Sequence, residues 1–249
     1  MIDRAIEFAT KAHEGQFRKG TKRPYIVHPI EVGDIVSTMT KDEEVISAAI
    51  LHDTIEDCEG VTKELLEASF SERVASLVAQ ESEDKSRSWI ERKGSTIKRI
   101  RCAPYEVQMI GLADKLSNMR DIDRDYPVVG EELWNRFRMK DKKMIGWYYK
   151  GIQDALREAF SEVPAYEEYC HLVDRHFGSG ESSGANKGPE LISLQECVFT
   201  FIPRNVIFLK AAVRTMPLHI LEIVILHQIP FSPSGVEIRS RAIGIRATV

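Results

Sequence analysis

The chain has 249 residues, 43% of them apolar and 29% charged, with a formal net charge of −4. That length buries a core without help from disulfides or a structural metal, and the balance excludes a disordered or fibrous chain. Weak acidity excludes a general binder of nucleic-acid polymers, which must neutralise phosphates, but leaves open a local basic patch for one small phosphorylated ligand.

Taken in chain order, the sequence predicts helices joined by short connectors. Ile2 to His13 spaces Ile2, Ala5, Ile6, Ala9 and Ala12 along one face. Gly15, Gly20 and Pro24 then interrupt, so residues 15 to 28 read as a loop rich in Arg and Lys. Pro29 is placed as the first residue of a second helix through about Met39. Asp42 caps a third, with Val45, Ile46, Ala49, Ile50 and Asp53 on its face, and Gly60 ends that region. Thr62 opens a short helix and Ser71 caps the next. A longer helix is expected from about Ser88 to Cys102. Pro104 opens another that continues through Leu116, and Asp125 to Gly130 reads as a loop. Glu131 to Phe160 reads as one long helical stretch, and Pro164 starts a last helix ending before Gly178. The expected fold is an all-α helical bundle.

The chain changes character after Phe177. All 3 Trp and all 7 Tyr precede that point, and no Asp follows it. Residues 178 to 188, GSGESSGANKG, have the composition of a flexible linker, and residues 189 to 249 form a C-terminal extension of unknown fold. That extension reads as poorly ordered or non-native, ahead of an accessory domain or an oligomerisation segment. Its longest apolar stretches are broken by Pro203, Glu222, His227 and Pro230, so no membrane span is expected. The four cysteines lack CxxC spacing and read as free thiols in a reducing cytosol. Charges at Asp3, Arg4 and Glu7 argue against a signal peptide.

Three segments carry the chemistry: YIVHP at Tyr25 to Pro29, LHDTIED at Leu51 to Asp57, and LADKLSN at Leu112 to Asn118. His28, His52, Asp53 and Asp114 supply two imidazoles and two carboxylates, a mixed donor set suited to Mn, Fe or Zn. Four protein ligands on an octahedral ion leave positions for water and a phosphoryl oxygen. Adjacent His52 and Asp53 can grip one ion only near a helix end or bend. Glu56 and Asp57 follow Asp53 by three and four residues, on the same helical face, so one of them is a general base or orients water. Asn118 lies one helical turn after Asp114. The run RKGTKR, residues 18 to 23, holds four basic side chains able to bind phosphate by charge and bidentate Arg contacts.

The blocks QFRKGTKRPYIVHPIEVG, AAILHDTIED and LADKLSNMRDI resemble the HD-superfamily hydrolase domain of RelA/SpoT-type alarmone enzymes, and in size the small alarmone hydrolases. The likeness covers most of residues 1 to 177. It implies a metal-dependent hydrolase that removes pyrophosphate from the 3′ position of ppGpp or pppGpp in the stringent response. His28, His52, Asp53 and Asp114 match the metal ligands, usually for manganese. Glu56 and Asp57 match the pair that positions the attacking water. Arg18 and Lys19 match the basic pair that contacts the nucleotide, and Asn118 matches a residue near the ribose. No segment matches a synthetase half. A phosphohydrolase acting on NADPH or another nucleotide phosphate, and a nucleotide-binding module without turnover, are the alternatives. Oligomeric state is left open.

Lesser candidates read as structural. Tyr25 packs over the site or stacks on a base. His13 is a hydrogen-bonding residue, and Cys58 has no base to make it a nucleophile. Trp147, Tyr148 and Tyr149 read as core. Lys85, Arg87, Arg92, Lys93, Lys98 and Arg99 can form a second basic wall, though most are expected to cover a helix surface.

Overall fold

In the computed structural model the chain divides into two units, Met1–Cys197 and Val198–Val249. The structure describes residues 1 to 80 and 87 to 178, all in the first unit, so the linker beyond Gly178 and the C-terminal extension lie outside the described residues. Among those described, the architecture is all-α: α1 (Ile2–Ala12), α2 (Val27–Met39), α3 (Glu43–Leu51), α4 (Thr54–Asp57), α5 (Lys63–Ser69), α6 (Glu72–Ala79), α7 (Trp89–Cys102), α8 (Tyr105–Val129), a 3-10 helix (Gly130–Arg136), α9 (Lys142–Phe160) and α10 (Pro164–Phe177).

Local signals set most boundaries. The side chains of Asp42, Thr62 and Ser71 each accept a hydrogen bond from a first-turn backbone N–H, capping α3, α5 and α6. Ser88 and Glu91 form a reciprocal capping box at the start of α7. Gly178, at φ 78°, closes α10.

The centre of the bundle is α8. Between Val107 and Ser117 only Lys115 is not buried, so this helix is enclosed on nearly every side. It packs against α2, α3, α7, α9 and α10, while α2 and α3 pack on each other and α1 lies against α3. Leu112, Ala113 and Leu116 are fully buried there. Each buried Leu contributes roughly 1.5–3 kcal/mol. At the far side Tyr169 donates its buried hydroxyl to the Tyr149 carbonyl at 2.8 Å, tying α10 to α9.

Three boundaries differ from expectation. Helix α2 begins at Val27, not Pro29, which puts His28 inside the first turn. First-turn N–H groups have no intrahelical acceptor, so proline is accepted there. The loop expected at Asp125 to Gly130 is helical to Val129 despite Pro127. Contacts just before Pro127 brace this stretch: Arg175 and His176 of α10 bond Asp123, and Tyr126 packs on Trp134. Glu131 to Phe160 is not one helix. The 3-10 turn ends at Arg136, and Asp141 starts α9 by accepting from Lys143 N at 2.8 Å.

Among the described residues Cys58 and Cys170 are free thiols, as expected. No helix among the described residues is long and apolar enough to cross a membrane.

Candidate active site

The expected break between His52 and Asp53 is present. Helix α3 stops at Leu51 and α4 starts at Thr54, with Asp53 as its N-terminal cap residue. The bend is fixed by Thr54 Oγ1 donating to the Leu51 carbonyl at 2.7 Å. It turns both neighbours inward: His52 Nε2 lies 3.1 Å from Asp53 Oδ2.

His28 from α2 and Asp114 from α8 complete the cluster. His28 Nε2 is 3.3 Å from Asp114 Oδ1 and 3.6 Å from Asp53 Oδ2. His52 Nε2 is 3.9 Å from Asp114 Oδ1. The donor atoms of His28, His52 and Asp114 all lie within 4.8 Å of one another. Ligands held about 2.0–2.2 Å from a first-row ion stand roughly this far apart. His52 Nδ1 is engaged with the Ala49 carbonyl at 2.8 Å, and its buried Nε2 has no hydrogen-bond partner. A buried ring nitrogen left this way, aimed at two carboxylates, fits a divalent ion.

Charge reinforces that fit. Burial disfavours a charged His52, but Asp53 and Asp114 outweigh it and raise the imidazole to about 9. Burial also opposes the ionised carboxylates, yet Asp53 is held low by His52 and His28, and Asp114 by Lys115 and both imidazoles. The site favours negative oxygens and draws a positive charge between them.

The cluster floors a cavity of about 430 Å³. Glu56 and Asp57 line it beside Asp53, with Glu56 half-buried and Asp57 exposed. Tyr25 donates its hydroxyl to Asp53 Oδ2 at 2.6 Å, and burial together with Asp53 keeps the phenol protonated. Its ring lies between Arg18 and His28.

Arg18 and Lys19 are presented by a tight turn. Thr21 N bonds the Arg18 carbonyl at 3.0 Å, and Arg18 N bonds the Arg23 carbonyl at 2.9 Å. Gly20 sits at φ 70°, a left-handed conformation that favours glycine, and the Arg136 side chain lies against it. Lys19 is exposed at the cavity wall. Arg18 is turned inward, donating to Asn118 Oδ1 at 2.7 Å, and Asn118 Nδ2 donates to Asp114 Oδ1 at 2.6 Å.

All ten expected site residues therefore line one cavity. The second basic wall is real in part: Arg92, Lys93 and Arg99 line the cavity, while Arg87 and Lys98 are exposed away from it. Lys85 lies outside the described residues. Lys115, Arg136 and Arg138 were not expected and also line it. Lys115 had a signal, since it follows Asp114 directly and bonds it. Arg136 and Arg138 had none, because they arrive from a segment read as plain helix. Tyr148 and Tyr149 are core residues, as expected, yet each shows a face to the cavity. His13 bonds Gln16 at 2.9 Å, and its Nδ1 also lies 3.3 Å from Cys58 Sγ, so, against expectation, a base stands beside this thiol, although burial raises the thiol to about 11.

A helical bundle that gathers two imidazoles and two carboxylates under basic walls defines a metal-dependent phosphohydrolase of HD type. The HD domain family matches residues 5 to 136, and the chain belongs to it, among the alarmone hydrolases. The guanosine-3′,5′-bis(diphosphate) 3′-pyrophosphohydrolase of Danio rerio is 37% identical over 139 residues, covering 55% of this chain and 74% of that one. The Homo sapiens enzyme of the same name is 34% identical, covering 62% and 86%. Among solved structures, a metazoan ortholog of SpoT, described as hydrolysing ppGpp, superposes with a TM-score of 0.62 at 27% identity, covering 72% of this chain and 96% of that one.

Proposed function

We propose that the protein hydrolyses the 3′-pyrophosphate of guanosine tetra- and pentaphosphate, giving GDP or GTP and pyrophosphate. The observation that carries this reading is the convergence of His28, His52, Asp53 and Asp114 beneath basic walls, in a chain similar over most of their length to enzymes bearing that activity in their names.

His28, His52, Asp53 and Asp114 would hold the ion, taken as manganese. When bound, such an ion acidifies water and polarises a phosphoryl oxygen. Tyr25 keeps Asp53 aimed inward through its 2.6 Å hydrogen bond. Glu56 and Asp57 orient the attacking water and receive its proton. Attack on the phosphorus bonded to O3′ forms one P–O bond and breaks the bond to O3′, which leaves as the 3′-hydroxyl after gaining a proton. Arg18 and Lys19 bind the phosphate chain, and Asn118, already bonded to Arg18 and Asp114, seats the sugar. Residues 1 to 177 are the proposed catalytic unit, followed by a linker at 178 to 188 and the extension at 189 to 249.

The test is direct. The purified chain with ppGpp and Mn2+ is expected to release pyrophosphate; Glu56→Ala is expected to lose at least ~10²-fold in rate, within the range for general acid–base groups, ~10²–10⁴, and His52→Ala, which removes a metal ligand, to lose most Mn2+-dependent turnover. Absence of pyrophosphate release by the unmutated chain would sink the reading. A nucleotide panel including NADPH separates alarmone specificity from broader phosphohydrolase action.

A further inference from the structure

The side of His28 that faces away from the carboxylates is held as firmly as the side that faces them. Its Nδ1 lies 2.8 Å from Ser117 Oγ, and Ser117 Oγ donates to Glu31 Oε2 at 2.7 Å. A hydroxyl has one proton to give. With that proton on Glu31, Ser117 can meet His28 only as an acceptor, so Nδ1 carries the hydrogen. The neutral ring then has its lone pair on Nε2, the atom facing Asp114 and Asp53.

Glu31 is itself anchored. Arg120 donates to Glu31 Oε1 at 3.1 Å, and the same guanidinium grips both oxygens of Glu168 at 2.7 and 2.6 Å. Ser117 is fully buried and His28 is 2% exposed, so the inner end of this chain is shielded from competing solvent. Its members come from three helices: His28 and Glu31 from α2, Ser117 and Arg120 from α8, Glu168 from α10. None of Glu31, Ser117 and Arg120 lines the cavity, so none is placed to touch substrate.

We propose that Ser117 and Glu31, with Arg120 behind them, are positioning residues for the metal centre: they fix the tautomer and ring angle of His28 so that Nε2 is offered to the ion. The proposal rests on the reading of His28, His52, Asp53 and Asp114 as a divalent-ion site. Supports of this kind raise ligand basicity and fix orientation, and losing one typically costs about 10–100-fold in affinity.

The experiment uses the full chain, unmutated and as Ser117→Ala, Ser117→Thr and Glu31→Ala. Mn2+ affinity is measured by titration calorimetry, and the His28 tautomer in the metal-free protein by long-range proton–nitrogen NMR. Ser117→Ala removes the acceptor. Glu31→Ala frees the Ser117 proton to face Nδ1 and so draws the ring toward the wrong tautomer. Both are expected to weaken Mn2+ binding about 10–100-fold, to lose the pure Nδ1–H signature, and to raise the Mn2+ concentration giving half-maximal turnover while leaving KM for ppGpp near its unmutated value at saturating Mn2+. Ser117→Thr keeps the hydroxyl and is expected to retain both properties.

A purely structural role would lower the melting temperature of the variants without moving the tautomer or the Mn2+ affinity, and that result overturns the proposal. Glu31 is half-buried at the bundle edge, so its variant gives the answer even if Ser117→Ala does not fold. No Mn2+ binding by the unmutated chain would instead overturn the metal-site reading itself, and this proposal with it. Normal binding by the unmutated chain and unchanged binding by the variants overturns this proposal alone.

Discussion

Arg18 Nε donates to Asp121 Oδ2 at 2.8 Å across 103 residues of sequence. The loop residue assigned to phosphate binding is thereby locked side-on to α8, the helix that carries Asp114. Arg23 also reaches Asp121, at 3.1 Å, and Arg124 bonds it from the next turn. One carboxylate thus organises three guanidinium groups, of which Arg18 lines the cavity.

Asp121→Asn tests that arrangement through pH. Burial pushes the Asp121 carboxyl up, but Arg124 and Arg18 outweigh it and hold the group below its usual value. A depressed folded pKa adds stability above the unfolded value of about 3.9, and that stability is lost as pH falls through the folded value. The variant is expected to be about 1.5–3 kcal/mol less stable at pH 7, the range for hydrogen bonds to charged groups. The gap should shrink between pH 7 and about pH 3, as pH drops below the unfolded value, and vanish only below the depressed folded value, where both proteins carry an uncharged group. Urea unfolding at the two pH values measures it. An equal gap at both would show that charge is not the cause. Looser Arg18 should also raise KM for ppGpp at pH 7.

Ser88→Ala probes the second basic wall from a distance. Ser88 accepts from Glu91 N, and Glu91 bonds the Ser88 backbone in return. Loss of the cap is expected to cost roughly 0.5–2 kcal/mol in thermal or urea unfolding. Helix α7 carries Arg92, Lys93 and Arg99 into the cavity. Fraying at its start should therefore raise KM for a polyphosphorylated nucleotide more than it lowers kcat. A kcat loss with unchanged KM would contradict a binding role for that wall.

Much of this was legible in the sequence where the signal was local. Asp42, Thr62, Ser71 and Ser88 cap helices because the capping geometry needs only a short oxygen-bearing side chain and a free N–H within three residues. The break at His52–Asp53 was legible because two adjacent ligands cannot share an ion from an unbroken helix. The misreadings came where distant contacts override local chemistry. Pro127 stays helical because α10 and Trp134 brace its neighbours. Arg136 lines the site beside Gly20, more than a hundred residues earlier in the chain, a proximity that no local pattern signals. Ser117 carries no local signal; its significance depends on His28 and Glu31, which the packing of α2 on α8 brings to it.

Metal removal and return should be visible in stability as well as rate. An ion that binds only the folded chain stabilises it by about 2.7 kcal/mol at a hundredfold excess over Kd. Adding Mn2+ to chelator-treated protein is thus expected to raise the melting temperature by several degrees. His52→Ala removes a ligand whose Nε2 has no other partner, and should abolish most of that rise. A rise that survives in His52→Ala would place the stabilising ion elsewhere.

The last prediction concerns the spacing of the two histidine-bearing helices. Gly33 of α2 faces α3, and a Cβ at that position would stand 2.5 Å from Ile50 Cγ1, well inside contact distance. His28 lies five residues before Gly33, and His52 two residues after Ile50, so the gap that admits glycine also sets the separation of the two imidazoles. Gly33→Val must push α2 and α3 apart or force Ile50 from its rotamer. Overpacking of this kind typically costs about 1–3 kcal/mol. Helix propensity works the other way, since glycine is about 1 kcal/mol worse than alanine and valine lies between them. The packing cost should win, because the near atom is Cγ1 of Ile50, close to the backbone of a side chain only 2% exposed, rather than the far end of a flexible one. The expected variant is folded but 1–2 kcal/mol less stable on this balance, with Mn2+ affinity reduced at least as strongly as stability. A variant of equal stability and Mn2+ affinity would mean that the helices yield at this contact and that His28 and His52 are aligned by some other constraint.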